Sequence, residues 1–238
     1  ESRNAQGMTT PNFGRESVRQ LVQPVYGALE YPATGRDGLF NSGVTDLNQP
    51  AVNGQQTVTD VSWHEAGSIR LKAKLNNDTY LGVGDVSSKP LSDVIGRFYP
   101  QHFELAASGV QNSCRTSTDA NQHFSYMSES KLGLNYQVLA RGLAGNTLEN
   151  YHSGSYADTA QLLLVAQHNT QRLDASRLEV DAGQWLQGIY SVEQTDAAFK
   201  RSVTPDGPYT NLQLGLQVLA GTERDNRNFQ AFTLGTDA

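Results

Sequence analysis

Three stretches of the chain alternate apolar and polar residues with a period of two. In Ser68-Ile69-Arg70-Leu71-Lys72-Ala73-Lys74-Leu75 the odd positions are apolar and Arg70, Lys72 and Lys74 stand between them. Successive side chains of a strand point to opposite faces, so this pattern predicts a half-buried antiparallel strand. The run 131–140 repeats it, with Leu132, Leu134, Tyr136, Val138 and Ala140 on one face. So does 211–218, where Leu212, Leu214, Leu216 and Val218 alternate with Asn211, Gln213, Gly215 and Gln217. Turn residues separate these runs: Gly35-Arg36-Asp37-Gly38, Asn76-Asn77-Asp78, Ala144-Gly145-Asn146 and Pro205-Asp206-Gly207-Pro208. Only 170–178 has a helical reading, and it is short.

The chain also repeats itself. Ser2-Arg3-Asn4-Ala5-Gln6-Gly7-Met8-Thr9-Thr10-Pro11-Asn12-Phe13 is echoed by Ala140-Arg141-Gly142-Leu143-Ala144-Gly145-Asn146-Thr147-Leu148-Glu149-Asn150-Tyr151, 138 residues on (141 minus 3). A weaker echo pairs Gly54-Gln55 with Gly183-Gln184, and each half then runs into an alternating strand. The fold predicted is all-β: two immunoglobulin-like antiparallel β-sandwich domains in tandem, 1–95 and 96–238. The second copy has a strand before its Arg-x-x-x-Gly turn, whereas the first begins at the turn. The first sandwich is therefore expected to lack its opening strands, leaving an edge for another segment to fill.

Composition narrows the partners. The 238 residues carry 18 Lys plus Arg against 24 Asp plus Glu, a net charge of −6, with 22 Gly. Without a basic cluster, nucleic acid and anionic membrane surfaces are not expected partners. The longest apolar stretch, 162–166, is too short to cross a bilayer, and no leader is legible at Glu1, so an export signal or anchor is expected elsewhere. A single cysteine, few lysines and abundant Asn, Gln and Thr lean toward an extracellular bacterial protein.

Longer motifs add a family resemblance. Ile95-Gly96-Arg97-Phe98-Tyr99-Pro100-Gln101-His102-Phe103, preceded by Trp63-His64-Glu65-Ala66-Gly67-Ser68-Ile69 and Tyr80-Leu81-Gly82, resembles the signature of the MshQ family of the mannose-sensitive haemagglutinin type IV pilus system. Phe124-Ser125-Tyr126-Met127 and Gly207-Pro208-Tyr209 extend the likeness. It implies an internal piece of a longer envelope or pilus-associated protein, because such proteins continue into a further segment that is absent here.

Candidate chemistry is sparse. His64-Glu65 lacks the second histidine of a zinc-protease motif and is expected to be a polar pair at a strand or turn edge. Oxygen-rich Asn76, Asn77, Asp78 and Asp85 are the weak calcium candidates, with a second group at Asp225, Asn226 and Asn228. No nucleophile elbow is present, and Cys114 is expected to be idle or bridged to a cysteine outside these 238 residues. Trp63 and Trp185 are expected in the cores, and Phe98 and Tyr99 at the junction of the domains. The function expected is non-enzymatic: a structural or adhesive module at the cell surface, with pilus or envelope proteins as partners. The alternative is a carbohydrate-binding module for host or surface glycans, which would show an exposed aromatic beside Asp or Asn in one loop cluster.

Overall fold

The structure, a computed structural model, describes residues 1–45, 51–75, 79–80, 82, 91–154, 160–220 and 229–233. All regular structure within them is strand, apart from two 3₁₀ turns. The calcium candidates Asn76, Asn77, Asp78 and Asp85, and Asp225, Asn226 and Asn228, lie outside the described residues. The chain divides into two compact units, Glu1–Phe98 and Tyr99–Ala238.

The first unit contains β1 (Val22–Tyr31), β2 (Phe40–Asn41), β3 (Val44–Thr45), β4 (Val58–Thr59), β5 (Ser62–Trp63), β6 (Gly67–Leu75) and β7 (Ile95–Phe98). β1, β6 and β7 form one antiparallel sheet in that order, while β2 pairs with β5 and β3 with β4. The alternating run predicted at 68–75 is β6, and Ile69 is its innermost side chain, 1% exposed. Ile95-Gly96-Arg97-Phe98 is the edge strand of this sheet, so the division falls after Phe98. Phe98 packs edge-on against Trp63 at 5.3 Å between ring centroids.

The second unit contains β8 (His102–Gln111), β9 (Leu132–Arg141), β10 (Ala160–His168), β11 (Gln171–Leu173), β12 (Leu178–Glu179), β13 (Gln184–Leu186), β14 (Ile189–Phe199), β15 (Leu212–Ala220) and β16 (Phe229–Thr233). One sheet runs β8-β9-β14-β12, with β13 also on β14, and the other runs β11-β10-β15-β16. Lettered in chain order, these are the A-B-E-D and C′-C-F-G sheets of an immunoglobulin-type sandwich. The period-two runs explain the layering: Leu134, Tyr136 and Val138 of β9 and Leu214 and Leu216 of β15 are buried, while Asn135 and Gln137 face outward. Both tryptophans are buried, and Trp185 meets Tyr151, Phe103 and Tyr190 with ring centroids 4.9 to 5.5 Å apart. The segment 170–178 is not helical. Asn169 and Thr170 adopt positive φ and turn the chain into β11, and only 175–177 form a 3₁₀ turn, capped by the Asp174 carboxylate. Two consecutive residues at positive φ make a tight hairpin turn and do not propagate a right-handed helix.

The repeat seen in sequence is present in the backbone. Arg3 bridges Thr9 as Arg141 bridges Thr147. The guanidinium of Arg3 donates to Gly7 O (3.3 Å), and that of Arg141 to Gly145 O (3.2 Å). Both glycines have φ of +78°. Ser2 N donates to Gly54 O (2.9 Å), and Ala140 N to Gly188 O (2.8 Å). The correspondence continues through the sheets: Val22 pairs with Leu75 as Ala160 pairs with Ala220, which matches β1, β6 and β7 to β10, β15 and β16. One pairing from the sequence is corrected. The counterpart of Gly54 is Gly188 and not Gly183, because Asn53-Gly54 and Gln187-Gly188 are both hairpin turns with both central residues at positive φ, and the two glycine carbonyls accept the matching bonds from Ser2 N and Ala140 N.

A candidate ligand cleft at one end of the second unit

β8 and β14 finish, and β9 and β15 begin, at the same end of the second sandwich. Two connections leave the strands there. The first, 112–131, joins β8 to β9; the second, 200–211, joins β14 to β15. They form the walls of a cleft of about 870 Å³, floored by Leu132, Phe199 and Leu212.

The first wall is fixed by its own polar groups. Cys114 and Phe124 exchange backbone hydrogen bonds at 2.9 and 3.1 Å, closing a loop around 115–123. The Ser125 hydroxyl donates to Asn112 Oδ1 (3.0 Å) and accepts from Ser113 N (3.0 Å). Glu129 accepts from the Ser113 hydroxyl (2.8 Å) and pairs with Lys131 (3.2 Å), which together lower its pKa below the usual carboxylate range. These bonds present Phe124 and Tyr126 outward, 43% and 65% exposed, with rings perpendicular at 5.2 Å.

The second wall is held by Arg177. Its guanidinium forks onto Asp206 (2.5 and 3.2 Å), donates to Tyr209 Oη (3.2 Å) and Lys200 O (2.8 Å), and lies over the Phe199 ring at 4.5 Å. A planar guanidinium suits this combination of forked bonding and stacking. Hydrogen bonds from Arg177 and Tyr209 hold Asp206 below its ordinary pKa. Ser128 N donates to Phe199 O (2.8 Å) and Arg201 N to the Ser128 hydroxyl (2.9 Å), tying the two walls together at their base.

The lining is therefore aromatic and amide-rich: Phe124, Tyr126 and Tyr209 with Asn112, Asn121, Gln122, Asn211 and Gln213. No Lys or Arg is among the described lining residues, and Glu129 is the one acid there. Such a surface suits a neutral, polar ligand with apolar faces, and its walls are formed in advance. In the first unit the counterpart of the connection 200–211 is only 64–66, between β5 and β6.

Sequence reasoning did not assemble this site. Its walls come from segments far apart in the chain, although two motifs of the family resemblance, Phe124-Ser125-Tyr126-Met127 and Gly207-Pro208-Tyr209, meet in it. The residues singled out for chemistry lie elsewhere. In the connection between β5 and β6, His64 contacts the Ser62 hydroxyl (3.2 Å) and Glu65 accepts from Ala66 N (2.8 Å). Cys114 is partly exposed and free, its sulfur 4.0 Å from the Thr116 hydroxyl. No cluster of three or more His, Cys, Asp or Glu that could hold a metal occurs among the described residues.

A family model described as "DUF6701, third domain" matches residues 65–238, from the start of β6 through the whole second unit. No curated protein and no solved structure matches the chain.

Proposed function

Since the chain belongs to the DUF6701 family, with that family's third domain over most of its length, we propose that it serves as a structural module of a bacterial surface protein, a run of like sandwiches that spaces or presents other parts of the molecule. The observation that carries this reading is the repeat itself: two units share loop geometry, turn conformation and the starting register of one strand pair. Serial sandwiches of one design are an economical way to build length, each needing only its own core. The motif likeness to MshQ supports a pilus-associated setting for it. The setting is tested by locating the protein in intact cells of a producing strain by immunogold labelling. Label at the cell surface or on pili is the expected result, and label confined to the cytoplasm would sink it.

The cleft favours a second reading, adhesion through a neutral glycan. An exposed aromatic pair on the same connection as Asn121 is the loop cluster that reading requires. A glycan array probed with the full chain and with Tyr126→Ala tests it. Binding to neutral glycans lost in the variant is expected, whereas a blank array with folded protein removes the reading and leaves the structural one intact.

A further inference from the structure

In the second unit β14 has β12 and β13 along one edge and β9 along the other, and β8 covers β9 in turn. Its counterpart in the first unit is the segment 55–63. That segment pairs with β2 and β3 on one side and, among the described residues, with no strand on the other.

Three observations show how this edge is prepared. First, the opposing sheet is only half covered. β1 contains no fully buried residue, whereas its counterpart β10 buries Val165 and Ala166. Leu71 is part-exposed where Leu216 is 2% exposed. Second, the register of a neighbouring strand is already set. Ser2 N donates to Gly54 O as Ala140 N does to Gly188 O, so Glu1 stands where Leu139 stands, and Leu139 faces Ile189, the counterpart of Gln55. Third, the edge is irregular in the matching place. Asp60 has φ of +58°, and β14 carries its bulge at the equivalent point, between Gln194 and Ala197.

We propose that this edge takes an antiparallel β-hairpin of the same chain, entering the first sandwich directly through Glu1 and pairing with 55–63 as β9 pairs with β14. The inference goes beyond the spacer reading, because it assigns an interface and its occupant. The occupant's chemistry follows from the register. Its inner strand carries apolar side chains at the positions of Val138, Tyr136, Leu134 and Leu132, opposite Gln56, Val58, Asp60 and Trp63, and closes over β1 and Leu71. Backbone hydrogen bonds provide the attraction and the alternate side chains the specificity.

The test places 102–138, the protein's own β8–β9 hairpin, in front of Glu1 of the full chain. Hydrogen exchange is then read at 55–63. The expected result is a monomer in which these amides exchange at least tenfold more slowly, with the protection lost when the added segment carries Leu134→Asp and Tyr136→Asp. A folded fusion with unchanged exchange at 55–63 overturns the proposal. So does protection found only in a dimer, which would make a second copy the donor. The unmodified chain supplies a readout independent of the fusion: amides of 55–63 must exchange faster than those of 189–197, and equal protection in both would overturn the proposal.

Discussion

Gly54 and Gly188 occupy one position in two sandwiches, and both are held there by conformation and by space. At φ of +71° and +77°, an added Cβ would stand 2.5 Å from Thr10 O and from Leu148 O respectively. Both Gly54→Ala and Gly188→Ala are expected to destabilise their units by about 1–3 kcal/mol, the usual scale of a strained backbone residue. Urea denaturation checks this, and a neutral result at either site would mean the turn has another conformation available. Asp206 is a second residue whose role follows from its partners. Its folded pKa lies below the unfolded one, so the stability it adds is present above the unfolded value and is lost as pH falls through the folded one. Asp206→Asn is therefore expected to melt below the parent at pH 7, and the gap is expected to close as pH drops past the ordinary carboxylate range. Melting curves from pH 7 to pH 2 test this; a gap that persists at pH 2 would mean the loss came from packing.

At the scale of elements, the same strand position serves two differently covered sheets. Leu216→Ala should cost about 2–5 kcal/mol, as buried Leu truncations do. Leu71→Ala, at the matching place in β6, should cost clearly less, because part of its side chain is already in water. The comparison is made by chemical denaturation, and equal losses would contradict the half-covered face of the first unit. What the sequence made legible follows the same physics. The three period-two runs are β6, β9 and β15, since a strand with one wet face writes its alternation directly into the chain. The pairs β2–β5 and β3–β4 are too short to show a period. Gly54 resembles Gly183 only through its neighbour Gln, a similarity of letters, while the feature it shares with Gly188 is a positive φ across two consecutive residues. The cleft was illegible for another reason: Tyr126, Arg177 and Tyr209 meet only once three connections fold to one end, and nothing in their spacing announces it.

At the scale of the whole molecule, the two units predict unequal resistance to unfolding. Glu1–Phe98 and Tyr99–Ala238 are separately compact, and only the second has two sheets of four or more strands among its described residues. Urea unfolding followed by hydrogen exchange should show β1 and β6 opening at lower denaturant than β10 and β15, and a single coincident transition would count against two separately stable units. The connection 200–211 carries a further consequence, one of ancestry. A domain that exists in two copies is released, in one of them, from keeping every surface as it was. Here the first strand pair starts in one register in both copies, from Val22–Leu75 and from Ala160–Ala220, while one connection is long in one copy and minimal in the other. That loop has changed between the copies while the pairing beside it has kept its starting register, so distant members of the lineage should differ more in the length and character of this connection than in the two strands it joins.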